Sequence, residues 1–77
     1  MGQVLNYARL AALADAIRRH PGRRVADYAR LLDTDNKTVT RALPQLEWLG
    51  VRLAEDPRRR LYYVDGLDRL SVRQRGD

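Results

Sequence analysis

Two apolar stripes on either side of the polar tripeptide Asp33-Thr34-Asp35 constrain the fold of this chain more than any other feature. Val25, Tyr28, Ala29 and Leu32 follow the i, i+3, i+4, i+7 spacing of a single helix face, and Val39, Ala42, Leu43, Leu46 and Leu49 repeat it. A helical period on both sides of so short a break means two helices joined by a tight turn. The first spans about 25–32, with Asp27 in its first turn, where the positive helix end favours a carboxylate. The second spans 36–49. Asp35 is its natural N-cap, because the carboxylate can accept from the free amides of the first turn, and Gly50 ends it.

The segments on either side are legible by the same rules. Residues 3–19 form a helix with Leu10, Leu13, Ala14 and Ile17 inward, and His20-Pro21-Gly22 terminates it. Val4, Leu5, Tyr7 and Ala11 add apolar surface at other angles, more than a helix packed on one side needs. After Gly50, strands at 51–54 and 60–64 flank Asp56-Pro57 and Arg58-Arg59-Arg60, which makes a β-hairpin with a cationic tip. Either Leu61 and Tyr63 or Tyr62 and Val64 face inward, and the alternation alone does not choose. Beyond Asp65-Gly66, residues 67–77 are polar apart from Leu67, Leu70 and Val72 and read as a tail.

Opposite its apolar stripe, the 36–49 helix opens on Asn36, Lys37, Thr38, Thr40 and Arg41. A helix that buries one side and offers such groups near its start has what major-groove reading requires. Arginine and lysine suit guanine, asparagine suits adenine, and threonine suits phosphate or the thymine methyl. The competing explanation is a solvated helix face, with Thr38 serving the cap. Arg58, Arg59 and Arg60 at the hairpin tip fit phosphates or the minor groove, against a purely solubilising loop. Arg23 and Arg24, just before the 25–32 helix, could touch backbone phosphate, with a merely solvated stretch explaining them equally well, and Arg52 is a weaker candidate. Trp48 lies off the stripe; its ordinary role is to cover the core under the hairpin, and a subunit contact is the sharper one. Leu31 is a second candidate apolar contact.

These residues carry a resemblance. Val25-Ala-Asp-Tyr-Ala-Arg, Lys37-Thr-Val-Thr-Arg-Ala-Leu, Leu46-Glu-Trp-Leu-Gly-Val and the arginine-tipped hairpin look like the winged helix-turn-helix DNA-binding domain of bacterial and archaeal regulators, most like the MarR and IclR types. The resemblance covers residues 24–64. It implies three helices plus a two- or three-stranded wing, with Arg23-Arg24 as the third extended stretch, and sequence-specific binding of double-stranded DNA in transcriptional regulation. The chain departs from the pattern at Asp33, where glycine is common, and at Thr34, which replaces an apolar residue. It departs again at Pro44, whose ring clashes with the carbonyl of Thr40 and should bend the helix or break it into 36–43 and 45–49.

With 77 residues, the chain forms one small domain, 1–66, plus the tail 67–77. It has no cysteine, so neither a disulfide framework nor a thiolate metal site exists. Arg9 and Asp15 interrupt the N-terminal apolar run, so secretory and membrane-spanning readings fail and a cytoplasmic setting is expected. The formal charge is +5 and favours a polyanionic partner, although Lys37 is the only lysine and a GC-rich genome would produce arginine anywhere. Catalysis has no support: His20, the one histidine, suits a helix C-terminus, and Asp33 with Asp35 lack a third ligand for a metal. No cofactor is expected.

The expected architecture is therefore mainly α with a small β-hairpin, and the expected partner is duplex DNA. Dimerisation through Val4, Leu5, Tyr7 and Ala11 would space two half-sites about 34 Å apart. The alternatives are a winged-helix module for protein–protein contact through Trp48 and Leu31, RNA binding, or the DNA-binding part of a larger protein.

Overall fold

The structure, a computed structural model, describes residues 7–68. It comprises α1 (Tyr7–Arg19), α2 (Val25–Leu31), α3 (Asn36–Trp48), β1 (Arg52–Glu55) and β2 (Leu61–Asp65). The fold is mainly helical, with the two strands paired antiparallel in one hairpin. The four α1 residues expected inward, Leu10, Leu13, Ala14 and Ile17, are all buried. Tyr28 and Ala29 of α2, Val39, Ala42 and Leu46 of α3, and Val51 and Leu61 complete the core. Removing such side chains from water contributes roughly 1.5–3 kcal/mol each for the larger aliphatics. Ala11, which the sequence reading placed with surplus surface, packs against this core instead.

α2 and α3 end in the same way. At the end of α2, the Thr34 amide donates to the Ala29 carbonyl and the Asp33 amide to that of Arg30. At the end of α3, the Val51 amide donates to the Leu46 carbonyl and the Gly50 amide to that of Glu47. Both are Schellman motifs, which require a left-handed residue just past the helix. Gly50 (φ 101°) meets this at no steric cost, whereas Asp33 (φ 55°) adopts it with a side chain. Val51 and Leu46, the residues whose apolar contact usually accompanies the motif, are both fully buried.

Asp35 caps α3 as expected, accepting from the Thr38 amide at 2.8 Å. The expected division of α3 at Pro44 does not occur, and the helix runs unbroken through it. Thr40 and Pro44 both lie on the exposed side, so water can serve the carbonyl that the ring deprives of its helical partner. The neighbouring Arg41 carbonyl also accepts from the Gln45 side-chain amide at 3.4 Å.

The hairpin settles the open register. Leu61 is buried and Tyr63 packs on the core with Leu53, its partner across the strands. The strands begin one residue later than the sequence suggests. Leu53 pairs with Tyr63 but Arg52 pairs with Asp65, so Val64 is the extra residue of a bulge and is exposed. The third extended stretch amounts to one bridge, Arg23 to Leu61. Leu67, assigned to the tail from sequence, packs against the core, and its amide donates to the Tyr63 hydroxyl at 2.9 Å. Val4 and Leu5 of the expected dimer surface lie outside the described residues; Tyr7 is partly exposed.

Candidate nucleic-acid interface

The side of α3 that faces away from the core offers Lys37 and Arg41, one helical turn apart, with Asn36 and Thr40 on the adjoining row nearer the hairpin; all four are exposed. Thr38 lies apart from them. It lines a cleft of ≈ 170 Å³ between α1 and the α2–α3 turn, together with Arg9, Asp33 and Thr34. Its amide and hydroxyl both serve Asp35, and these bonds hold the Asp35 carboxyl below its ordinary pKa.

One carboxylate organises the hairpin tip. Asp56 accepts from the amides of Arg60 (2.8 Å) and Arg58 (2.9 Å) through one oxygen. Its other oxygen accepts from the Arg60 guanidinium (3.2 Å) and the Tyr62 hydroxyl (3.3 Å). The Arg60 amide is the main reason its pKa falls below the usual carboxylate value. The Arg59 amide donates to the Asp56 carbonyl, and Arg59 itself is left-handed (φ 69°), which is the geometry of a three-residue hairpin loop. Arg60 is thereby tied down and half-buried, whereas Arg58 and Arg59 are exposed. The Arg24 guanidinium crosses from the start of α2 and donates to the Arg58 carbonyl at 3.1 Å, so the three residues occupy one place.

The pairing of the cations separates them into two classes. Arg18 and Arg19 pair with Asp15, Arg30 with Asp27, Arg52 with Asp65 and Arg60 with Asp56. Among the described residues, Lys37, Arg41, Arg58, Arg59, Arg24 and Arg23 form no ion pair. These six stand at two places, the exposed start of α3 and the tip with the stretch bridged to it. Of the sequence-predicted site residues, Thr38 and Arg60 are engaged within the fold, Arg24 is held by its hydrogen bond to the Arg58 carbonyl, and Arg52, the weaker candidate, is paired.

Sequence reasoning missed Asp56, which it took only as a turn residue. An aspartate four residues before an arginine across a tight hairpin was the available signal. Trp48 does not cover the core under the hairpin; at 84% exposure it is almost entirely in solvent. A cleft of ≈ 210 Å³ between α3 and β1 carries Glu47 and Glu55, whose charges disfavour an anion there.

The comparisons with known proteins yield no matching family model, curated protein or solved structure. No described helix is long and apolar enough to cross a membrane. Among the described residues, no three metal-ligating side chains gather.

Proposed function

We propose that the chain is a winged helix-turn-helix domain that binds double-stranded DNA as a transcriptional regulator. In this reading α3 enters the major groove, where Lys37 and Arg41, with Asn36 and Thr40, meet base edges and flanking phosphates. The hairpin is the wing, and Arg58, Arg59 and Arg24 contact backbone or minor groove. The observation that carries the reading is the division of the cations. A basic composition inherited from codon usage would scatter unpaired cations over the surface, but among the described residues the six that form no ion pair lie on the outer face of α3 (Lys37, Arg41) and at the hairpin tip with the stretch bridged to it (Arg58, Arg59, Arg24, Arg23).

The test is binding of a mixed-sequence duplex as a function of salt. Each phosphate neutralised contributes about −0.9 to the slope of log K against log salt. Four or more of the unpaired cations at work give a slope steeper than about −3, and an acidic protein of similar size should not bind. A flat slope, or equal binding of the acidic protein, overturns the reading. The second reading, a protein-interaction module of the same fold, draws support from the solvent exposure of Trp48 and Leu31.

A further inference from the structure

Trp48 is the only tryptophan of the chain, and it stands 84% exposed at the last turn of α3. At 100° per residue, it lies within about 20° of both Lys37 and Arg41 around the helix axis. It therefore continues their row, whereas Glu47 is turned toward the α3–β1 cleft. Along the axis it is about 10 Å beyond Arg41 and about 16 Å beyond Lys37. The major groove is about 12 Å wide. A helix that holds Lys37 and Arg41 over base edges thus carries Trp48 past the bases to the sugar–phosphate wall.

We infer that Trp48 is the backbone-facing end of the α3 surface, its indole lying against deoxyribose and its N–H donating to a phosphate oxygen. The inference rests on the DNA-binding reading above. The surroundings favour duplex over protein as the occupant. Trp48 is the only large exposed hydrophobic side chain on α3, in a row otherwise made of Lys37, Arg41 and Pro44, whereas Tyr7, Leu31 and Val64 belong to other elements. A protein interface has a core of clustered aromatic and apolar groups. A sugar wall needs one flat apolar ring with a donor at its edge. Contact at the backbone carries no base information, so Trp48 adds affinity to every sequence equally.

Titration of the full chain with a mixed-sequence duplex, read by anisotropy of labelled DNA and by tryptophan emission, tests this. Anisotropy should rise while emission is quenched. Trp48→Ala should weaken binding by about fivefold to tenfold on all duplexes alike, with Trp48→Phe intermediate because it keeps the ring and loses the donor. Rising anisotropy with unchanged emission and a neutral Trp48→Ala overturns the role of Trp48 while DNA binding stands. Absence of any rise removes both. A blue shift that grows with protein concentration alone would assign Trp48 to self-association and overturn the inference.

Discussion

Gly66 lies against the backbone of Gly50. A β-carbon on Gly66 would stand 2.2 Å from the Gly50 carbonyl oxygen and 2.7 Å from the Val51 Cα. Gly66 also has φ 105°, so a side chain there is excluded twice. The end of β2 thus rests directly on the turn that terminates α3, and this contact sets the angle between hairpin and helix. Gly66→Ala should cost at least about 2 kcal/mol, read as the shift in urea midpoint. Gly22→Ala is the milder control, because its β-carbon would come no closer than 3.4 Å, to the Tyr62 hydroxyl. Equal losses at the two sites would remove the backbone contact as the cause.

Asp33 offers a gain. It occupies the left-handed position of the α2 Schellman motif with φ 55°, the position Gly50 fills after α3. Asp33→Gly relieves the strain of a side chain there and should stabilise the domain by about 0.5–1 kcal/mol, less the entropy glycine gains when unfolded. Asp33→Val, β-branched, should destabilise. Thermal melts of the pair decide the matter, and a stable valine variant would mean the turn readily adopts another conformation.

Tyr28 is fully buried, yet its hydroxyl is in use. It donates to the His20 carbonyl at 2.6 Å and accepts from the Arg23 amide at 3.3 Å, tying the end of α1 to the stretch that bridges β2. Tyr28→Phe leaves both groups without that partner and should cost about 1–3 kcal/mol. Burial raises the Tyr28 pKa above its ordinary 10.0. A group that folding holds neutral contributes its full stability below the unfolded value and loses it as pH rises beyond. Wild type should therefore lose stability above about pH 10 more steeply than Tyr28→Phe. Parallel pH profiles would contradict this.

On the acid side, the Arg18 guanidinium lowers the Asp15 pKa, Thr38 lowers that of Asp35, and the Arg60 amide lowers that of Asp56, each from 3.8. A depressed carboxyl contributes stability that is complete above its unfolded value and lost as pH falls through its folded one. The fold should hold from neutral pH down to about 4 and weaken below it. Asp35→Asn retains a cap without the charge, so its acid limb should be shallower than that of wild type. An acid limb unchanged in Asp35→Asn would exclude a contribution from that carboxylate.

Whatever depends on local period was legible in the sequence. The stripes located all three helices, and Asp35 and Gly50 marked the ends of α3, because capping and glycine geometry are properties of a few adjacent residues. Two features depended on contacts between distant segments and were not legible. The hairpin register follows from the bulge at Val64 and the seat of Gly66 on Gly50, neither of which the alternation of Leu61 to Val64 contains. Which arginines are paired depends on where Asp56 and Asp65 sit across the hairpin, so a run of three arginines concealed one that is engaged and two that are not. The break allowed for at Pro44 does not occur, because the cost of a proline depends on whether the freed carbonyl meets water, and Thr40 and Pro44 are both exposed.

If the chain binds duplex DNA as proposed, the two unpaired groups should differ in what they contribute. Arg41 is on the outer face of α3, while Arg59 is at the left-handed apex of a loop that Asp56 braces. Arg41→Ala should reduce affinity and also narrow the difference between a preferred duplex and a random one, since a bidentate base contact is worth about 1–3 kcal/mol of discrimination. Arg59→Ala should weaken every duplex alike and flatten the salt slope by about one unit if it holds a phosphate. A site selected from a random duplex library provides the preferred sequence, and titrations at several salt concentrations provide the slopes. If both variants lose the same factor on both duplexes, Arg41 is a phosphate contact and base reading must come from Asn36, Lys37 or Thr40. If Arg59→Ala alone changes the sequence preference, the tip reads the minor groove and the roles of the two elements are exchanged.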